Sequence, residues 1–154
     1  MKIKLQKRDA FLICGYYVRT GLETCGRDFE KLWEEYHFSR KNNSIFKNRD
    51  DFYGLMWKTE DHGSGFFYLI GMEINATEKL PPNAAVRQIP PAEYAVASVS
   101  ASVSATDAWT DFYYKTLPET GLIPAAGHVY DFEYYPDGNG QSYELWTPVQ
   151  KRTV

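Results

Sequence analysis

Ser142-Tyr143-Glu144-Leu145-Trp146-Thr147-Pro148-Val149 reads as the last strand of the chain. Successive side chains of a strand point to opposite faces. Glu144 and Trp146 therefore share one side, and Tyr143 and Leu145 the other. An earlier segment, Phe67-Tyr68-Leu69-Ile70-Gly71, aligns with Ser142-Tyr143-Glu144-Leu145-Trp146. The alignment sets Leu69 against Glu144 and Gly71 against Trp146. If Ile70 and Leu145 lie under helices, Glu144 and Trp146 face away from them, toward a seam between two halves. A buried, unpaired carboxylate there either rises in pKa or demands a partner.

Working outward, the two halves share a pattern. Phe29, Leu32, Trp33 and Tyr36 fall at i, i+3, i+4 and i+7, with Glu30, Lys31, Glu34 and Glu35 on the wet side, which predicts an amphipathic helix. Trp109, Phe112, Tyr113 and Thr116 repeat that spacing about 80 positions later. Strands are predicted at 2–7 and 10–19 as one interrupted strand, then at 52–59 and 66–74 around a glycine-rich hairpin at 60–65. The second half has a strand at 86–89 and 94–103, interrupted by Pro90-Pro91. Further strands follow at 128–135 and 141–149, about the turn Pro136-Asp137-Gly138-Asn139-Gly140. Residues 39–50 read as a polar, basic loop with Arg40, Lys41, Lys47 and Arg49. Residues 75–83, with Pro81-Pro82, read as a linker.

Each half therefore reads β-α-β-β. The expected architecture is α+β, a single domain over 1–154. Repeat one spans about 1–75, the linker about 76–85 and repeat two about 86–154. One helix per three strands leaves a sheet face open. The expected remedy is antiparallel sheets packed about a pseudo-twofold axis around a central ligand cavity.

Composition narrows the function. The 154 residues suffice for one core, and 16% of them are aromatic. Tyr and Trp rings with polar tips suit a pocket for a flat organic molecule. A net charge of −3 argues against nucleic-acid binding. Cys14 and Cys25 have no metal-ligand spacing, and His62 and His128 stand apart from them, so neither a metal nor a cofactor is expected. The apolar run at 10–18 is too short to span a membrane and is broken by Gly15. A soluble cytoplasmic protein is the expectation. Motifs for nucleophilic catalysis and the Walker glycine loop are absent from the sequence.

Four groups of residues carry a resemblance to a known family. They are Gly15 with Val18-Arg19-Thr20 ahead of the Leu32-Trp33 helix; Tyr53-Gly54-Leu55 with Tyr68 to Ile74; Ile89 to Val96 before Trp109, Phe112 and Leu117-Pro118; and the closing Glu144 to Val149. In this order they resemble the GyrI-like effector-binding domain. That domain is also the ligand-sensing part of BmrR-type and some AraC-type transcription regulators. The stand-alone and integron-associated forms look most similar, since the likeness covers nearly the whole chain.

The resemblance implies a two-repeat fold with an aromatic pocket whose acid neutralises lipophilic cations. It maps that acid onto Glu144, with Trp146 beside it and Glu133 as a second acid. Asp131 shares a face with Glu133. Trp109, Trp33 and Tyr36 are the helix aromatics it implies, and the strand rings Tyr53 and Trp57 are candidate pocket wall. The expected function is a stand-alone binding protein for lipophilic, cationic aromatic compounds. Two alternatives remain. One is a hydrolase using Glu144 as general base on an electrophilic compound. The other is a protein-interaction module, since the name-giving family member inhibits a topoisomerase.

Overall fold

The computed structural model describes residues 1–21, 23–42, 49–59, 65–76, 79–138 and 142–152. His62, most of the glycine-rich hairpin, the middle of the basic loop with Lys47, part of the 75–83 linker and the end of the Pro136–Gly140 turn lie outside them.

In chain order the elements are β1 (Ile3–Arg8), β2 (Phe11–Thr20), α1 (Cys25–Asn42), β3 (Phe52–Lys58), β4 (Phe66–Ile74), β5 (Ala85–Ile89) and β6 (Ala92–Val99). A helical arm follows, made of α2 (Ala105–Asp111), a π-helical stretch (Phe112–Thr116) and α3 (Leu117–Glu119). β7 (Leu122–Pro124), β8 (Asp131–Tyr135) and β9 (Tyr143–Lys151) complete the fold. The expected α+β class holds. The first strand is two strands, β1 and β2, and a short β7 was not foreseen. α1 extends through Arg40 and Lys41, which were expected in the loop. Strand β8 starts at Asp131 rather than 128.

The described strands form one antiparallel sheet of order β1-β6-β9-β8-β3-β4-β2-β5, with β7 attached to β9. Exchanging β1 with β5, β2 with β6, β3 with β8 and β4 with β9 makes this order read the same backwards. The halves meet edge to edge, where β3 pairs β8.

Register explains the layering. Ile70, Gly54, Glu133 and Leu145 are cross-strand partners in one row, so they share a face. Leu69, Leu55, Phe132 and Trp146 make the neighbouring row on the other face. Both helices cover the first face. Leu32 and Tyr36 of α1 pack on Tyr16, Ile70 and Met72. Ala108, Phe112 and Leu117 of the arm pack on Ala97, Tyr143 and Leu145. Ile70 and Leu145 thus lie under helices, which puts Glu144 and Trp146 on the face away from them.

The second face was expected to hold the ligand cavity. It is instead filled by its own rings. Phe11 meets Tyr53 and Phe132, while Tyr94 meets Phe132 and Trp146. The sheet curves so that β2, β3, β6, β8 and β9 share this one cluster. Arg8 seals it, its guanidinium 3.7 Å from the Phe11 ring centre and hydrogen-bonded to Glu73 at 2.8 Å.

One close approach is demanding. Gly15 and Gly71 are paired partners on β2 and β4. A methyl group on Gly15 would lie 2.0 Å from the Ile70 carbonyl oxygen, and one on Gly71 2.2 Å from that of Cys14. Both neighbours are backbone and cannot swing aside. Gly15→Ala is expected to destabilise the fold by about 3 kcal/mol. Gly26→Ala, at the open start of α1, should be neutral or stabilising by about 0.5 kcal/mol. Urea unfolding midpoints of the two variants check this contrast.

Candidate functional site

The two helices leave the middle of their face uncovered, directly over Gly54 and Glu133. A cavity of about 490 Å³ opens there. Phe29 of α1 and Trp109 and Tyr113 of the arm form its walls. Met56, Phe66 and Tyr68 of the sheet extend them, while Lys58 and His128 also contribute to the lining.

Glu133 is the buried acid of this cavity, only 2% exposed. It sits there because β8 alternates: Asp131, Glu133 and Tyr135 face the helices, while Phe132 and Tyr134 face away. Three donors meet it. The Tyr68 hydroxyl donates to Oε1 at 2.7 Å, the Tyr135 hydroxyl to Oε1 at 2.9 Å and the Trp109 indole N–H to Oε2 at 2.8 Å. Gly54 makes this possible. A methyl group there would lie 2.1 Å from the Tyr68 hydroxyl and 2.9 Å from Glu133 Oε1.

Burial raises the Glu133 carboxyl above its ordinary pKa, and the three hydrogen bonds pull it back only in part. Burial and the neighbouring carboxylate also push Tyr68 and Tyr135 well above the usual phenol range. Both phenols therefore stay protonated and keep donating.

Asp131 borders the same cavity. It accepts from the Tyr113 hydroxyl, and His128 Nε2 lies 2.9 Å from its other oxygen. Helix and strand spacings match here. Trp109 and Tyr113 are four residues apart on the arm, about 6 Å along an ideal helix. Glu133 and Asp131 are two residues apart on β8, about 6.6 Å along a strand. Each ring thus reaches one acid, and the rings stack with centroids 5.8 Å apart. Tyr113 belongs to the π-helical stretch, a wider winding that often occurs at functional sites.

The structure separates the residues expected at the pocket. Glu133 and Trp109 meet in the cavity. Trp57 borders it, but its ring stacks on Phe67 and carries the Arg87 guanidinium at 4.4 Å. Glu144 does not sit at the cavity floor. It shares the face of Trp146 and accepts the Trp146 indole N–H at 3.1 Å. Trp146 itself packs on Phe132 and Tyr94, and Tyr53 bonds Arg8, both on the face away from the helices. Trp33 and Tyr36 pack with Phe52 beneath α1, outside the cavity. Tyr68, Tyr135 and Tyr113 were missed. The available signal was Gly54 in mid-strand, since such a glycine marks a close approach.

Residues 4–149 match the family described as Cass2, integron-associated effector binding protein. The chain belongs to this family. Among solved structures, it is similar to SAV2435 bound to tetraphenylphosphonium, with 15% identity and a TM-score of 0.68 over 97% of this chain and 94% of that one. An integron cassette protein from the mobile metagenome of Vibrio cholerae is 20% identical, with a TM-score of 0.62 over 96% and 95% of the two chains. The EcmrR C-terminal domain is 10% identical, with a TM-score of 0.61 over 98% of each chain. No curated protein matches the sequence. Among the described residues no helix is long and apolar enough to cross a membrane.

The raised pKa of Glu133 has a thermodynamic consequence. Above the ordinary value of 4.5 the folded state holds a proton that the unfolded state has released. Stability therefore falls as pH rises from 4.5 through the folded-state pKa. Glu133→Gln removes this slope. Denaturant unfolding of both proteins between about pH 4 and 7 should show the wild-type curve declining relative to the variant.

Proposed function

We propose that this effector-binding domain takes up lipophilic aromatic cations in the cavity between α1 and the helical arm. The observation that carries this reading is the buried Glu133 carboxylate at an aromatic cavity. A flat or multi-ring ligand would replace water against Phe29, Trp109, Tyr113 and Met56. Its positive charge would favour the ionised form of Glu133. At about 5 Å and an effective dielectric of about 20, that attraction is about 3 kcal/mol before desolvation. Rings facing a desolvated cation add about 1–2 kcal/mol.

Two further observations support it. SAV2435, of the same fold, holds a cation of this chemical class. The reversible strand order supports reading the chain as two repeats meeting at β3 and β8. The acid then breaks the repeat at the meeting row, where Glu133 stands opposite Gly54.

The hydrolytic alternative moves with the geometry, because Glu144 is not in the cavity. Glu133 would have to serve, and three donors already engage its oxygens. That arrangement favours holding a charge over abstracting a proton.

Tetraphenylphosphonium is expected to quench tryptophan fluorescence through Trp109 and to bind more tightly than uncharged triphenylphosphine oxide. Glu133→Gln should weaken the cation by roughly 10- to 100-fold while leaving the oxide nearly unchanged. Equal binding of both compounds, or of the cation to both proteins, would sink the charge-based reading.

A further inference from the structure

The cavity holds a second acid whose role a monocation does not explain. Asp131 and Glu133 point to the same side of β8, and both contribute to the lining. Their settings differ. Glu133 is fully buried and carries three hydrogen bonds. Asp131 is partly exposed, with a side chain 19% accessible, and has Tyr113 and His128 as partners. Tyr113 also lies 3.5 Å from the Thr147 hydroxyl, which steadies the ring from β9.

Trp109 and Tyr113 are stacked at an interplanar angle of 26°, and their polar tips end on Glu133 and Asp131 respectively. A rigid ligand laid across this pair would run from one carboxylate to the other. Both carboxylates are fixed by donors from the arm before any ligand arrives, so little ordering is required on binding. A monocation that filled the cavity would satisfy Glu133 and strip the remaining water from Asp131, leaving it only Tyr113 and His128. Dehydrating a carboxylate that the ligand's charge does not reach is costly. Lys58, on the same cavity, is exposed. It can turn to water and need not be the second cation.

We propose that Asp131 is a specificity-determining contact, and that the cavity selects rigid aromatic dications whose charges are spaced like Asp131 and Glu133, about 6.6 Å along the strand. This rests on the cation-binding reading above and adds a second charged end to it. Selection works by a penalty: the single-charged analogue loses because it dehydrates Asp131 and brings no charge to it.

The test uses two probes of nearly equal shape. Methyl viologen carries a positive nitrogen at each end of a bipyridine. N-methyl-4-phenylpyridinium has two linked six-membered rings of similar shape, a phenyl replacing one pyridinium, and one charge. Calorimetric titration of the wild type should show the dication bound at least roughly tenfold more tightly. In Asp131→Asn the preference should vanish, because the monocation gains roughly tenfold once it no longer dehydrates a charge. Monocation binding also reports that the variant is folded. Asp131→Glu keeps the charge and should keep the preference. Equal binding of the two probes to wild type overturns the proposal. So does a parallel loss of both in Asp131→Asn that Asp131→Glu does not restore, since that marks a purely structural residue. If tetraphenylphosphonium binds through Glu133 while methyl viologen gains nothing, only the dication inference falls. If no cation binds, the parent reading falls with it.

Discussion

A carboxylate that is 2% exposed persists only when its oxygens are met by donors, and Glu133 is met by three. Those donors come from β4, the helical arm and β8 itself. The site therefore requires both halves of the chain to be in place at once. Tyr68 reaches across β3 only because Gly54 has no side chain there. The indole of Trp109 arrives from above because the arm packs Ala108 and Phe112 onto the outer strands. Each element is anchored by apolar burial elsewhere, and the polar cluster forms where those anchors leave a gap.

The row Ile70, Gly54, Glu133, Leu145 shows how the gap arises. Its outer members lie beneath helices and are aliphatic. Its inner members lie between helices, and there the chain has a glycine and an acid. The opposite row, Leu69, Leu55, Phe132, Trp146, is apolar throughout and buries itself as the sheet curves. Arg8 supplies that side with a cation of the protein's own, ringed by Phe11, Tyr53, Phe132 and Trp146. One face is thus an aromatic cluster already holding its cation. The other is an aromatic cavity with carboxylates and open space.

Particular residues show how far the alternation could be followed. That Tyr143 and Leu145 share one face, and Glu144 and Trp146 the other, was legible from period two alone. Helix α1 was legible from Phe29, Leu32, Trp33 and Tyr36, and the arm from Trp109, Phe112 and Tyr113. The side on which the cavity opens was not legible. Parity places residues on one of two faces, but it does not say which face closes on itself. The short β7 gave no pattern because three residues are too few to show a period.

Local sequence alone therefore determined the α+β class, the aromatic character and which residues of a strand share a face. These follow from backbone periodicity and from which side chains tolerate water. Tertiary structure alone decided that Glu133 and Asp131, rather than Glu144, border the cavity. That choice depends on the curvature of the sheet, the spacing of the two helices and the register of β3 against β8. All three are long-range quantities, set by packing between residues far apart in the chain, and no local pattern encodes them.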